Sequence, residues 1–220
     1  RKIDVNYYGQ LKYTLKSKQV LKPKSLEVNY IYGYDNKEKI NLISTLQLTA
    51  NYHLNYNRNL DAIKVRFFGG YNFNTFSSRY NLFLKGQDGE YDYLYDRTYL
   101  SRNGNFPKTF TNQTSQTHGA FKINCNGSGK WLMASNILIE IPKLPLGIFM
   151  DFGAYPYIQN NTNKIELLFN SGLYYNIEVN DKSIIGVYLP LLHSKEIQDS
   201  YVFQTQNRFS ELGLLQKITF

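Results

Sequence analysis

Polar and apolar residues alternate with a period of two along most of the chain, and the alternation is clearest over residues 41–75. Two long alternating segments lie there, joined by a polar break at residues 58–61. In the first segment, even-numbered positions are mostly apolar, such as Leu46, Leu48 and Leu54. Odd-numbered positions are mostly polar, such as Gln47, Thr49 and Asn51. Because successive side chains of a strand point to opposite faces, this pattern predicts two long strands, each with one apolar and one polar face. Both exceed the usual strand length of about 5–6 residues, as strands that cross a membrane do.

The same alternation extends over the rest of the chain and predicts about eleven strands. They cover residues 2–15, 26–35, 41–57, 62–74, 79–86, 119–126, 130–142, 146–159, 164–179, 183–191 and 216–220. We therefore expect an all-β fold, an antiparallel meander that closes into an outer-membrane-type β-barrel of about 10–12 strands. We expect residues 1–220 to form a single domain. We also expect this domain to belong to a longer protein, because the first alternating segment is already under way at Arg1.

Tyrosines stand near the ends of several predicted strands, where aromatic residues mark the interface between water and lipid in membrane barrels. They are Tyr7, Tyr13, Tyr30, Tyr34, Tyr56 and Tyr71. The polar parity carries Asn, Thr, Gln, Lys and Glu over full strand lengths, which suits the hydrated interior of a barrel. A soluble β-sheet that packs on neighbouring domains is the alternative, because alternation alone does not say which face meets lipid.

The composition is compatible with strands that cross a membrane, although the mean hydropathy is only −0.44. Only alternate residues of such strands need to be apolar, so the average over the chain stays low. The net charge of +8 favours anionic lipid headgroups or an acidic partner. The Lys-rich residues 16–24, which include Pro23, interrupt the alternation. We expect no nucleic-acid partner, because Lys and Arg are spread along the chain and no nucleic-acid-binding motif occurs.

No residue pattern in the chain indicates catalysis or a bound cofactor. His53, His118 and His193 lack the spacing of metal ligands, so we expect no zinc site. The sequence contains no nucleophile elbow, phosphate-binding loop or dinucleotide-binding motif, and no spacing singles out a Ser-His-Asp triad. Cys125 is the only cysteine, so we expect it to be a small residue on a strand rather than half of an intramolecular disulfide. We therefore expect no enzymatic activity from this chain.

The longest irregular region, residues 87–118, is the predicted interaction loop. It holds too many aromatic residues for a solvated tether, so we expect them to pack on the barrel wall or on a partner, with their charged neighbours paired. The candidate interaction residues are Asp88, Glu90, Tyr91, Asp92, Tyr93, Tyr95, Asp96, Arg97, Tyr99 and Arg102. The carboxylates among them also suit a hard cation, although their spacing differs from that of an EF-hand loop.

Several segments resemble the β-rich C-terminal region that follows the catalytic part of Bacteroidota gluzincin-type zinc aminopeptidase homologues. They are residues 80–87 (YNLFLKGQ), 92–96 (DYLYD), 99–103 (YLSRN), 131–136 (WLMASN), 145–153 (PLGIFMDFG) and 187–192 (VYLPLL). The resemblance extends over residues 65–220 and implies that the chain is the barrel-like part of such a protein. Ser101 stands where that family usually has Gly. The zinc-binding and catalytic motifs of the family are absent from these residues, so the resemblance assigns no catalytic residue here.

These observations together predict a barrel in the bacterial outer membrane that anchors or scaffolds attached domains or partner proteins. We expect membrane lipid as its main partner, with other protein subunits or upstream domains attached to it. Two alternatives stay open. In one, the chain is the C-terminal portion of a zinc aminopeptidase-like protein whose active site lies outside it. In the other, the chain is a soluble β-sheet module that binds a partner.

Overall fold

The computed structural model describes ten strands and part of their connections. The described residues are 6–17, 19, 21–35, 40–56, 62–73, 81–84, 118–123, 125, 127–159, 162–180, 183–195 and 197. The strands are β1 (Asn6–Lys16), β2 (Lys24–Asp35), β3 (Ile40–Asn55), β4 (Ala62–Asn72), β5 (Leu82–Phe83), β6 (Ser128–Gly129), β7 (Trp131–Glu140), β8 (Leu146–Gln159), β9 (Thr162–Asn180) and β10 (Ser183–His193). The long strands coincide with segments in which Tyr, Phe, Ile, Val or Leu recur at alternate positions, as a two-faced strand requires.

Eight of these strands form one antiparallel sheet in the order β1-β2-β3-β4-β7-β8-β9-β10. Sequence neighbours pair in this sheet, except that β4 pairs with β7. The two short strands between them in sequence, β5 and β6, pair with each other in a separate sheet. The predicted all-β, antiparallel meander is therefore confirmed. Within the described residues, β1 and β10 are the two edges of the sheet, so the sheet is open and the predicted closure into a barrel is not observed.

Two of the predicted strands differ from the structure. The described residues between 119 and 126 do not form a continuous strand, since Ala120 and the preceding His118 adopt left-handed backbone conformations with φ of 52° and 46°. That prediction is wrong because the segment is enclosed: Phe121 and Lys122 are both buried, so its two parities do not separate an apolar from a solvated face. Of the strand predicted over residues 79–86, the structure describes residues 81–84, which contain β5. The strand predicted over residues 216–220 lies outside the described residues.

Residues 81–84 and the described residues between 118 and 129 lie against one face of the large sheet, and we call them the insert. Backbone hydrogen bonds join its two parts: the Leu84 N–H donates to Gly127 O over 2.8 Å, and the Phe121 N–H donates to Leu84 O over 2.9 Å. One buried cluster combines side chains of the insert, of the sheet and of the turn after β10: Phe68, Leu82, Leu84, Phe121, Ile123, Cys125, Leu132, Ala134, Tyr155, Leu168 and Ile197. The insert thus covers this face, which we call the inner face, with an apolar core.

The opposite face of the sheet, which we call the outer face, carries exposed apolar side chains. Leu132 and Leu168 on the inner face are buried, whereas their sequence neighbours Met133 and Leu167 on the outer face are 63% and 72% exposed. The parities predicted for β3 separate in the same way: Leu46 and Leu48 are exposed on the outer face. Phe149, Tyr174 and Tyr188 form a second buried group at the inner face, and Leu138 packs against it.

Candidate functional site

A row of polar residues crosses the inner face from one edge of the sheet to the other. Its members are directly paired neighbours on the eight strands, namely Lys16, Ser25, Asn51, Arg66, Asn136, Asp151, Asn170 and His193. Four of them are almost fully enclosed: Arg66 at 7%, Asn136 at 5%, and Asp151 and Asn170 at 0% exposure. Polar residues of these types are mostly exposed in soluble proteins, so this polar row is the most unusual feature of the described residues.

Asp151 of β8 and Lys122 of the insert form a buried ion pair at the centre of the polar row. The Lys122 Nζ lies 3.7 Å from Asp151 Oδ1, and the Lys122 backbone N–H donates to Asp151 Oδ2 over 3.0 Å. The same ammonium donates to Ala120 O over 2.7 Å and stands 5.6 Å from the centre of the Tyr188 ring. Because Lys122 is only 6% exposed, water contributes little to its solvation, and these contacts replace it.

Asn136 of β7 extends the ion pair into a network that also holds the insert. Its Nδ2 donates to Asp151 Oδ1 over 2.8 Å and to Gly119 O of the insert over 2.9 Å. Its Oδ1 accepts a hydrogen bond of 2.9 Å from an Nη of Arg66, whose guanidinium also lies 5.3 Å from the centre of the Phe68 ring. The insert is therefore attached to the sheet by two sets of contacts. One set is the ion pair of Asp151 and the hydrogen bond of Asn136, and the other is the apolar cluster next to them.

Asn170 and His193 continue the polar row beyond Asp151, but they differ from Asn136. Both amide atoms of Asn170 and the Nδ1 of His193 are buried without a hydrogen-bond partner among the described residues. The two residues pair directly across β9 and β10, next to a shift in register between Pro190 and Leu192. Asn136 and Asp151, which contact the insert, therefore have hydrogen-bond partners, whereas Asn170 and the Nδ1 of His193 have none among the described residues.

This site contains polar contacts that attach the insert to the sheet. Lys122 pairs with Asp151 and Asn136 donates to Gly119 O, and both contacts join the insert to the sheet. Asn136 also forms hydrogen bonds with Asp151 and with Arg66 within the sheet. Among the described residues, no three His, Cys, Asp or Glu side chains come together as a metal site would require. Removing either partner of a buried ion pair is strongly destabilising, because the other charge is then left uncompensated.

The outer face is the second functional feature, because its strands present continuous apolar stretches. On β8 the outer positions are Leu146, Ile148, Met150, Phe152, Ala154 and Pro156. On β9 they are Ile165, Leu167, Phe169, Ser171, Leu173 and Tyr175, with Ser171 the single polar member. The most exposed of them are Leu167 at 72% and Ile165 at 66%. An apolar surface that continues over several strands is larger than the patches that soluble monomers usually expose.

The residues that the sequence singled out are placed as follows. The candidate interaction residues between 88 and 102 lie outside the described residues. His118 lies in the insert, where its Nδ1 accepts a hydrogen bond of 3.4 Å from the Phe83 N–H and its ring stands 5.8 Å from that of Phe68. Cys125 is buried in the apolar cluster of the insert, not on a strand, so that prediction is wrong. His53, His118 and His193 stand on β3, in the insert and on β10, respectively.

The sequence predictions missed the network of Asp151, Lys122, Asn136 and Arg66. One signal was present: Asp151 is the single acidic residue of the strand Leu146–Gln159, and it stands on the parity that the structure places at the inner face. The partners of Asp151 could not be found in the same way. Lys122 comes from an irregular segment, and the pairing register of the strands depends on turn geometry as well as on the periodicity.

Comparison of the chain with protein-family models, with curated proteins and with solved structures found no match. No helix among the described residues has the length and apolar character needed to cross a membrane.

Proposed function

We propose that this chain is part of a β-barrel of the bacterial outer membrane that anchors or scaffolds attached domains or partner proteins and has no catalysis of its own. The observation that carries the proposal is the reversed polarity of the sheet. Charged and amide side chains such as Asp151 and Asn136 are enclosed at the inner face, while Leu167 and Met133 are exposed on the outer face. Lipid removes the cost of an exposed apolar face, because acyl chains solvate it as well as a protein core does.

The length of the apolar stretches supports this proposal. On β8 and on β9 the outer apolar positions extend over ten residue steps, from Leu146 to Pro156 and from Ile165 to Tyr175. At about 3.3 Å per residue, such a stretch measures about 33 Å along the strand. A strand tilted by about 40° then covers about 25 Å across the membrane, which equals the apolar band of outer-membrane barrels.

The ends of the strands support a tilt of that size. β2 begins at Lys24, one residue before the polar row, and β7 ends at Glu140, four residues beyond it. β9 ends at Asn180, ten residues beyond Asn170. The strands therefore advance steadily relative to the hydrogen-bonding direction, and closing a sheet into a barrel requires such a stagger. In the proposed barrel of about 10–12 strands, further strands pair with β1 and β10, since open strand edges do not persist in lipid.

The insert supports a role as anchor rather than as an open pore. It covers the inner face with an apolar cluster and with the ion pair of Lys122 and Asp151, both buried among the described residues. A barrel with a filled interior contributes its outer surface and its ends, where attached domains or subunits are held. This role also fits the resemblance to the region that follows the catalytic part of zinc aminopeptidase homologues, in which the active site would lie outside this chain.

The decisive test separates a lipid-facing surface from the surface of a soluble module. We expect Leu167→Arg to weaken folding into lipid vesicles by about 2–4 kcal/mol, because it places a cation at the level of the acyl chains. Leu167→Phe is the matched control, and it should leave folding unchanged. A soluble module predicts the opposite order. There, a charge at a position exposed to 72% should change stability by less than about 0.5 kcal/mol and improve solubility. Full stability of the arginine variant in water without detergent would exclude the membrane proposal.

A further inference from the structure

The end of the sheet at which β1 ends and β2 begins carries lysines next to exposed apolar residues. In the connection between these strands, Lys22 follows Leu21, which is 64% exposed. Lys24 is paired across the strands with Tyr52, which is 39% exposed on the outer face. In the turn from β7 to β8 at the same end, Lys143 precedes Leu144, which is 53% exposed. We call Lys22, Lys24 and Lys143 the lysine rim.

The backbone holds the lysine rim in a fixed position. The Asn55 N–H donates to Leu21 O over 3.1 Å, and the His53 N–H donates to Pro23 O over 2.9 Å, so residues 21–23 continue the sheet alongside β3. Lys143 adopts a left-handed backbone conformation, with φ of 68°, which a glycine would adopt without strain. A lysine at such a position adopts a backbone conformation that it does not prefer, which favours a role for its side chain.

The lysine rim differs in its charge contacts from three other lysines of the described residues. Those three are paired with carboxylates: Lys12 with Glu27, Lys64 with Glu140, and Lys122 with Asp151. Within the described part of the chain, no ion pair involves Lys22, Lys24 or Lys143. All three are exposed and stand where the apolar outer face ends, so their stems can lie along apolar surface while the ammonium groups reach outward.

We infer that the lysine rim binds the anionic, phosphate-bearing headgroups of membrane lipids. This inference rests on the proposed function, because it requires the outer face to stand in acyl chains. Leu21, Tyr52 and Leu144 then lie at the boundary between acyl chains and headgroups, and each lysine reaches a phosphate next to it. Basic residues near an anionic membrane surface attract it over a distance of about one Debye length, so the attraction weakens with salt.

The test uses the full chain, refolded into vesicles of phosphatidylcholine alone or of phosphatidylcholine mixed with phosphatidylglycerol. Insertion is scored by flotation after an alkaline wash, and affinity by titration with vesicles at low and high salt. The native chain should bind the mixed vesicles at least tenfold more tightly at low salt, on the order of fivefold per lysine. The triple variant Lys22→Gln, Lys24→Gln and Lys143→Gln should lose this preference while it still inserts into phosphatidylcholine.

A second triple variant, Lys12→Gln, Lys130→Gln and Lys164→Gln, removes the same charge away from the lysine rim and should keep the preference. Equal losses in the two triple variants would overturn the inference, because net charge rather than position would then decide binding. Equal binding of the native chain to both kinds of vesicle would overturn it too, while insertion itself would still support the barrel. Failure to insert into either kind of vesicle would instead overturn the proposed function and this inference with it.

Discussion

Asp151 and Phe152 are neighbours in β8, and they show how the two faces of the sheet differ. Asp151 is charged and fully buried at the inner face, while Phe152 is apolar and 45% exposed on the outer face. In a domain folded in water the exposures would be reversed, because burial of apolar area drives folding and burial of a charge opposes it. The two faces of the described sheet are therefore covered differently: the insert satisfies polar groups on one face, and in the proposed barrel acyl chains would cover the apolar residues of the other.

The largest expected effect comes from breaking the ion pair at the inner face. Asp151→Ala leaves the Lys122 ammonium buried at 6% exposure without its counter-charge, so we expect a loss of about 3–5 kcal/mol in the free energy of unfolding. Urea unfolding of the vesicle-embedded protein measures it. Combining Asp151→Ala with Lys122→Met removes the uncompensated charge and should recover most of the loss. Equal destabilisation of the single and the double variant would show that the charge is not what the site depends on.

The next effect compares adjacent positions of β3 on opposite faces. Leu48 is 44% exposed on the outer face, and Leu48→Arg should cost about 2–4 kcal/mol if that face meets acyl chains. Thr49 stands on the inner face directly opposite Glu27, so Thr49→Arg gains a carboxylate partner and should cost less than about 1 kcal/mol. The same unfolding measurement checks both variants. Equal costs at the two positions would remove the distinction between the faces on which the membrane proposal depends.

The period of two in the sequence predicted the strands well, because a strand with one apolar and one polar face requires apolar and polar residues to alternate along the chain. β8 spans Leu146–Gln159, as predicted, and the opposite faces of Leu48 and Thr49 were also predicted correctly. The predicted strand over residues 119–126 failed for the converse reason, since a segment enclosed on all sides has no solvated parity. The candidate site was missed because its contacts, such as that of Lys122 with Asp151, join residues far apart in sequence across an irregular segment.

A smaller effect is expected at the adjacent glycines of β4. A Cβ added at Gly70, on the inner face, would lie 2.7 Å from Leu82 Cδ1 of the insert and 3.0 Å from Phe68 Cζ. Gly70→Ala should therefore cost about 1–3 kcal/mol by overpacking. A Cβ added at Gly69, on the outer face, meets nothing within 4 Å, so Gly69→Ala should change stability by less than about 0.5 kcal/mol. The free energies of unfolding of the two alanine variants, measured in the same lipid, test this difference. Equal values would show that the insert does not pack closely against Gly70.

The smallest expected effect lies at the far end of the polar row, where Asn170 can be compared with Asn136. Asn136 makes three hydrogen bonds, to Arg66, Asp151 and Gly119, so Asn136→Leu should destabilise the protein by about 1–3 kcal/mol.

Asn170 has the same side chain at 0% exposure, but neither of its amide atoms has a hydrogen-bond partner among the described residues. Its desolvation is then not offset, and Asn170→Leu, which has a similar shape, should be neutral or stabilising by up to about 1 kcal/mol. The unfolding free energies of the two leucine variants test this difference in sign. A loss at Asn170 as large as that at Asn136 would show that its amide is solvated or bound in the folded protein. The inner face would then hold a polar contact at Asn170 in addition to those of Asn136 and of the ion pair.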